Sequence, residues 1–372
     1  MARISAIIFV LVTCLPFETV AQFRCSTVGV AGLKGCECNF LGACDVLGRK
    51  RAGTNILERS PKGLERYAHF KGSFGRNLAF LCEGNSVAIL YDCNNRIPLY
   101  AATVVTGRQL STGGTERPRG SDGKFRESGT ELDEFFQQNE NDYTQSSKRN
   151  INYKEKVGDK MVKDEQWNRA LNANPLLPTK LNVVMHKGHL IASMYGIGNY
   201  DKRKQTFVYT NAIPQFGDFN SVPWRTCEQR LITWGRQNCL NEKTPDGVRN
   251  VLMFIVVGTI PSTFKGRDPS KPRFFGSDGF SNVQDNVNFR VNVPSKMWTA
   301  ACCTNEYTNG GRTYYIIRST AFWRENTPGK FTCNRVRVDW LEEDLTPTGE
   351  ERVNLFPFST ECRNKDNFVV LP

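Results

Sequence analysis

The sequence predicts a mixed α+β fold, built mainly on antiparallel strands and stapled by disulfides. Three observations carry this. Short segments rich in β-branched and aromatic residues, bounded by Gly, Pro and Asn, recur along most of the chain. One longer segment, about 222–237, has a clear helix-start signal ahead of it. Of the 13 cysteines, Cys14 lies in an apolar leader, so twelve remain for pairing in a chain that reads as exported.

The leader comes first. Arg3 supplies a positive start, 4–16 is an apolar run too short to span a bilayer with confidence, and Thr19-Val20-Ala21 offers a small-x-small cleavage site. The expected organisation is a signal peptide at 1–21, a Cys-rich extension at 22–70 and one large domain at 71–372. No later stretch reaches transmembrane length, so the mature protein is expected to be soluble and secreted, with no membrane partner. In the extension, Cys25, Cys36, Cys38 and Cys44 look like a local staple. A zinc site is the rival reading, disfavoured because no histidine stands nearby.

Within 71–106, 78–81 and 87–91 read as strands, followed by a turn at Asn94-Asn95 and a third apolar run over 98–105. Residues 107–160 are polar, charged and Gly-rich and predict a long surface excursion. Order returns with a strand at 181–185 that ends at the string His186-Lys187-Gly188-His189. A second strand is expected over 206–211. Asn220-Ser221-Val222-Pro223 offers a capping side chain and then a proline for the first turn, so a helix is expected from about 222 to 237. Further strands are expected at 250–260, 287–293, 297–302, 313–318 and 332–338, with a short helix at 339–344. Trp224 and Trp234 read as core. The adjacent Cys302 and Cys303 are expected to take different partners, and Cys82 with Cys93, and Cys227 with Cys239, flank single elements.

The chain has 49 Lys and Arg against 37 Asp and Glu, a formal charge of +12. That balance favours polyanionic partners: nucleic acid, sulfated glycans or an anionic surface. Lys202-Arg203-Lys204, expected in a loop, could track a nucleic-acid backbone or simply be a solvated turn, and the lysines of 148–164 read as an exposed face. No Asn-x-Ser/Thr sequon occurs.

Only three histidines are present, and two share one four-residue string. Downstream come Asn211 to Gln215, then Asn220, Trp224 and Glu228. Hydrolysing a phosphodiester needs a base, a hard cation and cationic donors for the phosphate. His189, the pair Asn220 and Glu228, and Lys187 fit those roles in turn. Asn220 and Glu228 lie about two helical turns apart, so both can border one groove. A zinc hydrolase is disfavoured, because position 187 is Lys where the His-Glu-x-x-His pattern needs Glu. Taken singly, Asn220 is a helix cap and Glu228 a solvated charge; only their joint spacing says more.

That spacing resembles the DNA/RNA non-specific endonuclease family, whose core is a ββα-metal finger. The family shows Asp-Arg-Gly-His, then Asn-x-x-Pro-Gln, then Asn-x-x-x-Trp with a Glu four residues on. Here these read His186 to His189, Asn211 to Gln215, Asn220 to Trp224, and Glu228. The segments 90–100, 293–298 and 338–341 resemble flanking parts of the animal secreted branch. The resemblance implies His189 as general base and Asn220 as direct magnesium ligand. It implies Glu228 as holder of metal-bound water, Asn211 as support for the base and metal, and Gln215 as a shaper of the substrate site. Lys187 stands where the family has a phosphate-facing arginine. Manganese or calcium are alternatives to magnesium. A further upstream arginine is expected, with Arg108, Arg119 and Arg126 as candidates.

His186 and Lys187 replace the family's Asp and Arg. Lysine keeps the charge but loses the bidentate fork. Two functions follow. One is a secreted, metal-dependent endonuclease that cuts DNA and RNA by their backbone phosphates with little sequence preference. The other is a catalytically inactive, secreted polyanion-binding or extracellular matrix protein on the same fold.

Overall fold

The computed structural model describes residues 25, 36, 38–39, 60–68, 77–112, 116–128, 132–143, 185–240, 251–262, 274–276, 279–281, 284, 290–309, 312–327 and 332–363. Its strands are β1 (Leu78–Glu83), β2 (Val87–Asp92), β3 (Ile97–Thr106), β4 (Met185–His189), β5 (Ala212–Phe216), β6 (Val251–Pro261), β7 (Phe274–Gly276), β8 (Gly279–Ser281), β9 (Val291–Asn292), β10 (Pro294–Asn309), β11 (Arg312–Glu325) and β12 (Asn334–Val336). Its helices are α1 (Gly107–Ser111), α2 (Tyr200–Gln205), α3 (Gly217–Phe219), α4 (Arg225–Asn238) and α5 (Val338–Asp344), and a π-helical segment, Asn220–Trp224, joins α3 to α4. No helix among these residues is long and apolar enough to cross a membrane.

The α+β expectation is met. A seven-stranded sheet runs β1-β2-β3-β6-β10-β11-β12, with every neighbour antiparallel. The expected hairpin is its first part. Asp92 fixes the turn into β3, accepting the Asn94 and Asn95 backbone N–H groups at 3.0 and 3.1 Å. Asx geometry of this kind gives a turn a side-chain acceptor. The central β6 is apolar along its length and nearly all buried, as a strand covered on both faces must be. Gly258 within it faces Trp298 of β10; an added Cβ would come within 2.1 Å of the indole.

The smaller β4–β5 sheet pairs His186 with Gln215 and His189 with Ala212. Its helix partner is the run α3–α4, so strand, strand and helix form the expected finger. Several boundaries differ from expectation. The strand expected at 181–185 falls outside the described residues except for Met185, and the histidine string lies within β4 rather than after a strand. The strand expected over 206–211 is instead a turn, a single bridge of Val208 to Arg126 and a 3-10 turn over Tyr209–Asn211. Asn199 caps α2 by accepting the Lys202 N–H, and Asn211 spends its side chain on backbone groups. Side chains of this type divert a segment from strand pairing. The helix begins at Gly217, so Asn220 is not its cap; it has helical dihedrals, φ −62 and ψ −41. Strands β10 and β11 run longer at both ends than expected, because they pair with each other through to Asn309 and Arg312.

Two cysteines of the extension reach outside it rather than forming a local staple, and Cys44 lies outside the described residues. Cys25 pairs with Cys93 and Cys36 with Cys82, clamping this segment onto the first hairpin. Cys38 is also disulfide-bonded, so none of these three is free to bind zinc. Leu64 and Tyr67 are buried in the same core as the sheet. Cys302 and Cys303 take different partners, as expected: Cys362 and Cys239. Helix α4 is tied near both ends, through Cys227 to Cys333 and just past its last turn through Cys239 to Cys303. Trp224 and Trp234 are buried. Residues 116–128 and 132–143 of the polar excursion are packed against the finger, while 144–160 and the lysines to 164 lie outside the described residues.

Gly188 is required by the finger's packing. A Cβ there would stand 2.1 Å from Gln215 Oε1, and Gln215 is fully buried. Gly188→Ala should destabilise by about 1–3 kcal/mol, the usual cost of overpacking, read by urea denaturation. Adding Gln215→Ala should return part of that loss. An unchanged midpoint in the single variant would show that Gln215 moves aside freely.

Candidate functional site

A cavity of about 820 Å³ opens beside the finger. Residues expected from the sequence that line it are His186, Lys187, His189, Asn220 and Glu228. Asn211 and Gln215 do not reach it. Asn211 sits behind His189. Its Oδ1 accepts the Ile191 N–H at 2.9 Å, and its Nδ2 donates to the carbonyls of Ile191 and Thr206 at 3.0 and 2.9 Å. Its own carbonyl accepts the Leu190 N–H at 2.8 Å. Gln215 is buried behind Gly188, with Nε2 at 2.8 Å from Met297 Sδ.

His189 is walled by aromatic rings. Phe125 lies 4.7 Å away between centroids, and Phe207 meets it edge to face at 4.4 Å. Its Nε2 is buried without a hydrogen-bond partner, which leaves Nδ1 as the nitrogen open to the cavity. Loss of solvent, and then the charge of Arg117, push its pKa down to about 3. The imidazole is therefore neutral across the physiological range. The missing proton partner for Nε2 matches the aromatic wall, which presents π faces rather than carbonyls.

Glu228 borders the cavity from α4. It is partly open to that space, yet protein surrounds it on every other side. It makes no hydrogen bond among the described residues. Burial pushes its pKa up to about 8, against the opposing charges of Arg225 and Arg117. Asn220 Nδ2 donates to His186 Nδ1 at 3.2 Å. An amide N–H can only donate, so His186 is here the neutral tautomer with its proton on Nε2. Burial lowers the His186 pKa, partly offset by Asp218.

Lys187 projects to the cavity mouth, where its Nζ lies 2.6 Å from Glu140 Oε2. Tyr209 donates its hydroxyl proton to the same oxygen at 2.7 Å. Of the upstream arginine candidates, none lines the cavity. Arg126 donates to the carbonyls of Lys204 and Phe207, while Arg108 and Arg119 are exposed. The cavity arginine from that region is Arg117, whose guanidinium lies 5.6 Å over the Phe207 ring. Nothing in Arg117-Pro118-Arg119 distinguishes the first arginine from the second; only the strap's path does. That path is fixed by the 126–128 segment. Arg126 exchanges backbone hydrogen bonds with Phe207 and Tyr209 at 3.1 and 2.9 Å. Glu83 accepts from both Ser128 and Thr210, and Asp122 pairs with Lys204 at 2.7 Å. The basic triplet is not a loop: it belongs to α2, where Lys202 and Arg203 are buried. Lys202 donates to the Val104 carbonyl, and Arg203 lines the cavity. Arg117, Phe125, Phe207 and Glu140 were not legible as site residues from sequence spacing.

Among the described residues no cluster of three or more His, Cys, Asp or Glu side chains could hold a metal. The donors at hand are one amide and one carboxylate, with room for water. That set fits a hard divalent cation that keeps several waters, and does not fit a closed zinc site. The Glu228 carboxylate, raised by burial, is a group that a cation would relieve.

A model of the DNA/RNA non-specific endonuclease family matches residues 68–355. No curated protein sequence matches the chain. Among solved structures, a chain from the crystal structure of the EndoG/EndoGI complex is similar at 14% identity with a TM-score of 0.47, over 84% of this chain and 96% of that one.

His189 and Glu228 give opposite pH signatures. Unfolded, histidine titrates near 6.5. Between about pH 6.5 and 3 the unfolded chain thus binds a proton that folded His189 refuses, so stability falls as pH drops, by up to about 1.4 kcal/mol per unit. Folded Glu228, neutral until about 8, removes stability as pH rises above its ordinary 4.5. Urea unfolding of the native protein and His189→Asn, at about pH 7 and again near pH 4.5, isolates the first effect. The variant should lose less stability on acidification; equal losses would mean His189 is open to protonation in the fold.

Proposed function

The chain belongs to the DNA/RNA non-specific endonuclease family, and on that premise we propose that it is a secreted endonuclease of the animal secreted branch, dependent on magnesium. It hydrolyses phosphodiester bonds of DNA and RNA with little sequence preference. The observation that carries this is the convergence of a neutral His189, Asn220 and Glu228 on one cavity that also holds Arg117.

Each residue then has a role. His189 Nδ1 takes a proton from the attacking water, and the aromatic wall keeps the imidazole neutral for that task. Asn211 is a positioning residue: it fixes the backbone that follows His189. Asn220 and Glu228 would hold the cation. When bound there, the cation neutralises charge that develops on the phosphate and the leaving oxygen. His186 supplies the acceptor that orients the Asn220 amide, turning its oxygen away from His186. An imidazole Nδ1 and a carboxylate are both acceptors, so His186 can do for Asn220 what an Asp would. Arg117 donates to the phosphate as charge builds. Binding rests on phosphate contacts, so activity should fall steeply with salt. The apolar leader and the disulfides support secretion.

The test is nicking of supercoiled plasmid by the oxidatively folded protein with magnesium, and again with chelator. Chelator-sensitive nicking is expected. It should fall about 10²- to 10⁴-fold in His189→Ala, the worth of a general base, and about 10²- to 10³-fold in Arg117→Ala, the worth of a charge-stabilising donor. Failure of the well-folded native protein to nick plasmid with any of several divalent metals would overturn the reading in favour of a non-catalytic polyanion binder.

A further inference from the structure

We infer that Glu140 is a gatekeeping residue that holds Lys187 in check, so that nucleic acid must displace a resident carboxylate to reach the cation of the histidine string. This rests on the nuclease reading of the cavity.

The contacts are specific. Glu140 Oε2 accepts from Lys187 Nζ at 2.6 Å and from Tyr209 Oη at 2.7 Å, so donors from β4 and from the turn before β5 fix one oxygen. Glu140 also lines the cavity. Its side chain is 63% exposed, and that of Lys187 is 25% exposed. The pair thus stands at the mouth, where a substrate phosphate arrives, rather than in the core. The Glu140 carboxyl is held below its ordinary range, first by Lys187 and then by Tyr209, so it stays charged wherever nucleic acid would be bound.

The consequence follows from charge. A lysine ammonium is a compact point charge, without the planar fork that lets arginine hold two oxyanions side by side. Paired with Glu140, it offers an incoming phosphate a dipole rather than a net positive charge. Exposed ion pairs are weak, so a phosphate can replace Glu140. It gains correspondingly little, because one charge pair is exchanged for another. A lone phosphate is therefore disfavoured. A polymer, whose flanking phosphates also meet Arg117, Arg203 and Arg225 around the same cavity, is not. Glu140 thereby weakens phosphate binding at the mouth for any ligand, and the flanking contacts let a polynucleotide bind despite that cost.

The experiment is a binding cycle with chelator present and His189→Ala in every protein, so no cleavage intervenes. Affinity for a labelled duplex oligonucleotide is measured by fluorescence anisotropy across a salt series, for the parent, Glu140→Gln, Lys187→Gln and the double variant. Glu140→Gln should tighten binding about two- to fivefold, the worth of an exposed pair. It should also steepen the slope of log K against log salt by about 0.9, one added phosphate contact. Lys187→Gln should change little alone, yet abolish that gain in the double variant. A gain that survives in the double variant would reduce Glu140 to general negative charge and overturn the inference. So would an unchanged affinity and slope in a Glu140→Gln protein of native melting temperature, or no binding by any of the four. Absence of nicking by the native enzyme, with the cycle intact, would instead sink the nuclease reading and leave Glu140 as gatekeeper of a binding site.

Discussion

The finger depends on one buried amide. Asn211 joins the exit of β4, the end of α2 and the start of β5 through its side chain and its own carbonyl. Each partner is a backbone group. Breaking such a contact in the interior costs about 1–3 kcal/mol per orphaned group, so the arrangement is held well beyond what strand pairing over five residues supplies. Everything that faces the cavity from this side inherits its position from that knot. His189 precedes the tethered Leu190 and Ile191. Phe207 follows the tethered Thr206. Arg117 reaches the cavity beside Phe207 because Arg126 pairs with the backbone on either side of Val208.

Opposite protonation states come from one cause. The cavity wall excludes water from His189 with Phe125 and Phe207 and from Glu228 with the body of α4. Loss of water disfavours charge of either sign, so it lowers the histidine and raises the glutamate. Arg117 adds to the first shift and opposes the second. The cavity thereby holds a neutral imidazole beside a carboxylate whose ionisation a nearby cation would favour. A more open cleft would give ordinary values for both and lose that division.

The sequence made the finger's chemistry legible and its surroundings opaque, for reasons of range. His189, Asn220 and Glu228 are separated by fixed lengths of strand, turn and helix, so spacing alone brings them to one groove. The α+β class was legible from the alternating runs of β1 to β3 and the apolar β6. Helix α4 was legible too, but not its true start: Gly217 gives no cap signal, and Asn220 looks like a cap while lying inside a helical run. Disulfide partners such as Cys25 with Cys93 are separated by 68 residues, and no local pattern encodes that return. Arg117, Phe125 and Glu140 arrive on a polar segment that reads as surface loop. What commits it to the site is a set of long-range contacts: Arg126 with Phe207, Asp122 with Lys204, and Ser128 with Glu83.

The two departures from the family's string bear on whether such a site is retired or rewired. A retired site loses its constraints one at a time, leaving side chains with no common geometry. Here both substituted residues have acquired partners within the site itself. His186 meets Asn220, and Lys187 meets Glu140, which Tyr209 steadies. Gly188 is still required by Gln215, and Asn211 still satisfies every backbone group it faces. The string has changed in the two places where an acceptor can replace an acceptor and a cation can replace a cation. Glycine stands where sterics admit no such exchange, and histidine where the proposed proton transfer would admit none. That pattern of change follows the chemistry of the site, which is the physical ground for reading it as rewired.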